Sequence, residues 1–262
     1  MLDPAWSISV EQYYDETTDL YLSHIGSIFQ GGLLVENGQV LDSTATVVAL
    51  AQRAGITDGS HILDAGCGVC GASIAIAKKF ENVTVEAITN SSHQVQIALK
   101  SLDQSELSDR IHVTKADFHQ TQFPDSSFDI IFFFESFGHS NNFQVLVEEM
   151  YRVLKSGGHI YIKDVFAHHV TSDIQQQELQ AFNKEFFYNT PEMSDLKNVI
   201  AQSGFDVIRA TSLEASISHE FFKSAIYQIH NNKVTFTELG EKHPTIFTDL
   251  PIYFGEILAK KI

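Results

Sequence analysis

The sequence predicts an α/β fold: a doubly wound, seven-stranded, mostly parallel sheet with an N-terminal helical lid and a small inserted cap. Three observations predict it. Short apolar runs at 61–64, 84–89, 111–115, 128–134 and 158–164 alternate with segments of helical periodicity, the order that winds a parallel sheet between two helical layers. The first of these runs leads into a glycine-rich turn, Gly66-Cys67-Gly68-Val69-Cys70-Gly71, ahead of a helical segment. With 44% hydrophobic residues, a chain of 262 residues can fill one large core. Residues 1–56 are expected to form the lid and 57–262 the main domain, with the cap at about 166–190.

Residues 7–34 are polar and aromatic, and 42–54 carry apolar residues at helical spacing behind an Asp42-Ser43 start, so both read as lid helices. Helices are predicted at 72–80, 92–102 and 144–154, the last ending in the turn Lys155-Ser156-Gly157-Gly158. After Asp164 the alternation breaks. The stretch 166–190, rich in His and Gln, predicts an inserted helix with loops, before a helix at 191–203 and a strand at 205–211. Residues 214–248 have no clear pattern, and 252–260 predict a closing strand.

Composition narrows the function. Seventeen basic against thirty-three acidic residues give a formal charge of −16, a field that repels phosphate backbones and anionic membranes over about a Debye length. Nucleic acid is therefore not an expected partner. No apolar run is as long as a membrane span, and Met1-Leu2-Asp3-Pro4 lacks the basic flank and apolar core of a signal peptide, so a cytoplasmic location is expected. Cys67 and Cys70 are the chain's two cysteines, and a structural zinc site usually takes four ligands. They are expected to pack behind the turn.

Gly66, Gly68 and Gly71 satisfy the G-x-G-x-x-G spacing, which allows a tight turn and close approach of a nucleotide. Asp64 stands just before it, where a carboxylate repels a dinucleotide's pyrophosphate but attracts a cationic amine. The competing role for Asp64 is to cap the turn.

Several separated motifs together resemble the class I S-adenosylmethionine-dependent methyltransferases, most closely over 60–165. The glycine turn after Ile62-Leu63-Asp64 is similar to the family's first motif, and Ala116-Asp117-Phe118 to its adenine-contacting motif. Phe128-Asp129-Ile130-Ile131 resembles its fourth strand. Arg152-Val153-Leu154-Lys155-Ser156-Gly157-Gly158 resembles its turn into the fifth strand, with Ser156 where proline is usual. The alternative is a nicotinamide dehydrogenase, which places an acid about 20 residues after the glycines. Here Ile88-Thr89-Asn90-Ser91-Ser92-His93-Gln94-Val95-Gln96 is similar instead to the branch that methylates sterols, prenyl diphosphates, unsaturated fatty acids and tocopherol precursors.

The resemblance implies a Rossmann-like domain, S-adenosylmethionine as cofactor and S-adenosylhomocysteine as product. It implies that Asp64 attracts the cofactor's ammonium while Gly66 and Gly68 turn their amides to its methionine end. Thr89, Asn90 and Gln94 then hold the ribose, and Asp117 and Phe118 the adenine. Glu135, which follows Ile130-Ile131-Phe132-Phe133-Phe134, lies beside the methyl donor as general base or carbocation stabiliser; a buried acid held by backbone amides or by the cofactor is the alternative. Among phenylalanines its charge calls for a cation, which the sulfonium or a substrate cation would supply. His139 is a second base for a heteroatom acceptor, or a pocket wall.

Tyr14, with Tyr13, Tyr21 and Phe29, belongs to the lid, where aromatic faces suit a sulfonium or simply staple the lid down. His168-His169 reads as a solvated loop rather than a metal site. The expected reaction is in-line methyl transfer to a small-molecule acceptor, a carbon of an isoprenoid or other apolar metabolite, with O- or N-methylation as the alternative. Magnesium is expected only if the acceptor carries a diphosphate. A homo-oligomer is compatible with the sequence.

Overall fold

The computed structural model describes residues 9–218 and 250–262. The unpatterned stretch 214–248 falls mostly outside the described residues, as does the N-terminal tetrapeptide. Among the described residues, the core is a seven-stranded sheet of order β5-β4-β3-β6-β7-β10-β8. Its strands are β3 (His61–Ala65), β4 (Thr84–Thr89), β5 (Ile111–Lys115), β6 (Phe128–Phe134), β7 (Leu154–Ala167), β8 (Phe205–Ser212) and β10 (Ile252–Lys261). Pairings from β5 through β7 are parallel, while β10 runs antiparallel to both β7 and β8.

The strand period of two explains the two cores. On β6, Ile130, Phe132 and Phe134 enter one apolar cluster with Ile62, Val85 and Ile76, whereas Ile131 and Phe133 enter another with Leu63, Ile160 and Leu196. Helices α2 (Ser43–Arg53), α3 (Gly71–Lys79) and α4 (Ser92–Ser105) cover the first face; α5 (Phe143–Val153) and α7 (Met193–Gln202) cover the second. Asp42, Ser91 and Asn142 cap α2, α4 and α5, each accepting a hydrogen bond from a first-turn amide. In the inserted stretch, α6 (Asp173–Phe186) starts behind Ser172 in the same way.

Two local expectations are corrected. Residues 1–56 are not wholly helical. After α1 (Val10–Ile25) come the paired strands β1 (Leu33–Glu36) and β2 (Gln39–Val40), and β1 also pairs with β9 (Ile217–Ser218). Moreover, α2 buries Val47, Leu50 and Ala51 completely, so it is a core helix. The turn at 155–158 does not end before the fifth strand: β7 begins at Leu154, and the extra residues appear as a register shift opposite 128–130, with Gly157 at φ +80°.

Candidate active site

The carboxyl ends of β3, β4 and β6, where order reverses in the middle of the sheet, open into one cavity of about 1010 Å³. Ligand pockets span roughly 300 to 1,000 Å³, so the volume suits a cofactor and an acceptor together. Tyr14, Asp64, Gly66, Gly68, Thr89, Asn90, Gln94, Asp117, Phe118, Glu135 and His139 all line it.

Asp64 is buried at the end of β3, with Ser73 of α3 donating to its carboxylate. Burial pushes its carboxyl up to about 7 against that hydrogen bond. A carboxylate so placed gains most from a cationic ligand. At Gly66, φ is +103° and a side chain would begin 2.3 Å from Cβ of Ser136. Its amide donates to the Ile88 carbonyl, as does that of Cys67, so the expected amide contact with a ligand does not hold for Gly66. Gly71 makes room for protein: a side chain there would meet the Ser27 carbonyl at 2.1 Å. Cys67 and Cys70 are free and buried.

At the end of β4, Thr89 donates to Gln94 Oε1 at 2.5 Å, and Ser91 caps α4 through the Gln94 amide. Asp15 of α1 accepts from the Ser91 hydroxyl and the His93 amide, which docks the first helix onto this region. Beyond β5, Asp117 accepts from the His119 amide at 2.8 Å and lies 2.7 Å from His119 Nδ1; these contacts hold its carboxyl below the usual range despite partial burial.

Glu135 is a buried acid held by backbone amides, as the alternative reading has it, and what departs from expectation is its cation. The cation beside it is Lys163, fully buried on β7, which forms an ion pair with Oε1. Gly31 donates to Oε2 at 2.7 Å and Gly32 to Oε1 at 3.3 Å, so the carboxylate clasps the segment that leads from α1 into β1. Lys163 Nζ also donates to the Gly32 carbonyl and lies 4.4 Å from the Phe254 ring centroid. The charge expected from a sulfonium or substrate is supplied by the chain itself, because β6 and β7 are neighbours in register, with Phe134 opposite Lys163.

His139, in the short 3-10 turn Phe137–His139, is held on both ring nitrogens. Nδ1 lies 2.9 Å from the Phe187 carbonyl, which can only accept, so Nδ1 carries the proton. Nε2 then accepts from the Tyr14 hydroxyl at 2.7 Å. Burial lowers the imidazole to about 4, against the Phe187 hydrogen bond. Tyr188 packs edge-on at 4.6 Å and donates to the buried Asp164, which also receives the Phe137 and Gly138 amides. Burial raises Asp164 to about 6.

Sequence reasoning placed Asp15 and Gln30 in the lid without giving either a role, and it missed Lys163 and Tyr188. Lys163 left a signal, since a lysine within an apolar strand needs a buried counter-charge; the others left none. His168 and His169 pair separately with Glu214 and Glu192, and no metal-ligand cluster occurs among the described residues. Nor, among these residues, is any helix long and apolar enough to cross a membrane.

A doubly wound sheet with an acid-flanked glycine turn at its switch point defines a nucleotide-cofactor protein of the Rossmann-like class. The chain belongs to the methyltransferase domain family, whose model matches residues 56–229. It is 30% identical over 205 residues to a sterol 24-C-methyltransferase from Eremothecium gossypii, covering 76% of this chain and 55% of that protein. The chain thus spans about half the length of that relative. The O-methyltransferase cnsE from Penicillium expansum is 29% identical over 224 residues, covering 82% of this chain and 79% of its own. The crystal structure of the [4+2]-cyclase SpnF has the same fold, with a TM-score of 0.79 at 19% identity, covering 96% of this chain and 94% of that one.

Proposed function

We propose that this chain transfers a methyl group from S-adenosylmethionine to a carbon of an apolar, isoprenoid-like small molecule. The observation that carries the reading is that one cavity joins Asp64, a buried carboxylate suited to an ammonium, to a chamber walled by Phe134, Phe182, Phe186 and Tyr188. The residues present fit the cofactor: an anion for its amine, neutral Thr89, Asn90 and Gln94 for its ribose, and Asp117 with Phe118 for its adenine. When bound, it supplies an electrophilic methyl on a sulfonium. The N-terminal α1 and the inserted α6 act as lid and cap, excluding water from the cavity they line.

The base is assigned to Tyr14 and His139. An imidazole near 4 does not ionise an alcohol before transfer, but it readily accepts a proton from a carbocation. The Tyr14 oxygen takes the proton from the substrate as its own passes to His139 Nε2. Glu135 serves as the clasp of segment 31–32. The sterol 24-C-methyltransferase relative supports carbon as the methylated atom. The O-methyltransferase relative, matched over more of its length, supports an oxygen acceptor as the second reading.

Labelled methyl incorporation into a panel of Δ24 sterols, prenyl alcohols and phenols, with products identified by mass spectrometry, tests the assignment. The expected result is carbon methylation that falls about 100-fold or more in His139→Ala, the range of general acid–base catalysis, with S-adenosylhomocysteine affinity unchanged. Transfer undiminished in His139→Ala would remove the histidine from the chemistry, and transfer to phenols alone would favour the second reading.

A further inference from the structure

Gln30 lines the cavity, is 2% exposed, and has no hydrogen-bond partner among the described residues for either Oε1 or Nε2. Buried side-chain amides are nearly always paired, because neither half recovers the hydrogen bonds it gave up in water. Its surroundings keep it in place. Phe29, the preceding residue, lies 3.2 Å from where a Gly68 side chain would begin. Gly31, the following one, is held by Glu135, and Gly32 by Lys163. The segment 29–32 therefore crosses from the glycine turn to the ends of β6 and β7 with Gln30 midway.

The position selects the ligand. The groups assigned to the cofactor, Asp64, Thr89, Gln94 and Asp117, sit on or just beyond β3, β4 and β5. The far anchors of segment 29–32, Glu135 and Lys163, sit on the other side of the switch point, where the aromatic chamber lies. We infer that Gln30 recognises an oxygen function of the acceptor, a hydroxyl or carbonyl that receives a hydrogen bond from Nε2 and, if a hydroxyl, returns one to Oε1. The proposal rests on the methyl-transfer reading for the occupant of the rest of the cavity. It adds that the acceptor is an oxygenated rather than a purely hydrocarbon molecule. A site built around a buried polar group rejects the analogue that leaves it unpaired.

The experiment compares farnesol with the hydrocarbon β-farnesene by calorimetric titration into the full chain saturated with S-adenosylhomocysteine. Wild type is expected to prefer farnesol about tenfold or more, and Gln30→Leu to lose the preference while keeping its S-adenosylhomocysteine affinity. The ligand-free variant should melt no lower than wild type, since replacing an unpaired buried amide by an apolar group of similar size is neutral or stabilising. Gln30→Met, with the same reach, is expected to behave likewise.

The proposal is overturned if wild type shows no preference or binds neither compound, if the preference survives both substitutions, or if the substitutions weaken S-adenosylhomocysteine instead, which assigns the amide to the cofactor. Melting well below wild type in both variants also overturns it, by showing the amide to be paired within the fold. Failure of wild type to bind S-adenosylhomocysteine is separate: it removes the cofactor reading, while the farnesol comparison, run on the ligand-free chain, still reports on Gln30.

Discussion

The two halves of the cavity are built differently. On the β3–β5 side each functional residue ends or follows its own strand within a few positions: Asp64 at β3, Thr89 and Gln94 at β4, Asp117 at β5. On the β6–β7 side the partners are far apart in sequence, with Glu135 held by Gly31 and Lys163, and His139 held by Tyr14 and Phe187. The first half is specified by local turn chemistry and the second by strand order and the docking of α1. The second half therefore draws its charge and proton partners from the lid and the neighbouring strand, whereas the first places its functional side chains from its own strand ends.

The largest expected effect breaks the second half at its clasp. Glu135→Gln leaves Lys163 buried without its counter-charge, and breaking such a pair costs about 3 to 5 kcal/mol, against a native stability of only about 5 to 15. Thermal unfolding should shift down by about 10 °C. The double variant Glu135→Gln with Lys163→Met, which removes both charges, should recover much of the loss. Turnover separates the roles. If Glu135 is the clasp, activity returns as the segment 29–32 re-forms; if it were the proton acceptor, the double variant would stay as inactive as the single one.

The contrast also accounts for what was legible in the sequence. Strand and helix order, the glycine turn and the residues after each strand were readable because each depends on neighbours a few positions away. Segment 33–40 was misread although Asn37-Gly38 is a tight hairpin-turn pair, because the strands it joins are only four and two residues long and the other partner of β1, β9, lies far along the chain. Glu135 was identified as buried among phenylalanines, but its partner was not, since only the register of β6 against β7 places Lys163 beside it. Gln30 was invisible for a different reason: nothing in a sequence distinguishes a buried amide with partners from one without.

A smaller effect sharpens the first half. Asp64 has its carboxyl near 7 when folded, so the folded chain holds a proton that the unfolded chain gives up near pH 4. The cost of ionising it accumulates between about pH 4 and 7, and this residue's contribution makes the ligand-free protein less stable as pH rises through that window. A cationic ligand lowers the carboxyl again and expels the proton. Binding of S-adenosylhomocysteine at pH 6 should therefore release a proton, read as a dependence of the calorimetric heat on buffer ionisation enthalpy. Asp64→Asn should abolish that dependence and weaken binding by about 10- to 100-fold, the worth of a hydrogen bond to a charged group. Heat independent of buffer in wild type would remove the ammonium from Asp64.

The smallest effect tests whether the halves are coupled. Asp15 joins α1, which carries Tyr14, to the start of α4, which carries Gln94. Burial works against its charge, but the Ser91 hydroxyl and the His93 amide outweigh it and hold its carboxyl below the usual value. The stability it contributes is therefore present above about pH 4 and is lost as pH falls through the lowered value. Because the carboxylate is largely exposed, Asp15→Ala should cost only about 1 kcal/mol. Its functional consequence should be lopsided: S-adenosylhomocysteine affinity changed little, but turnover reduced, since loosening α1 moves the Tyr14 hydroxyl away from His139. Equal losses in affinity and turnover would mean that α1 belongs to the cofactor half, and that the division between local and long-range construction runs elsewhere in the cavity.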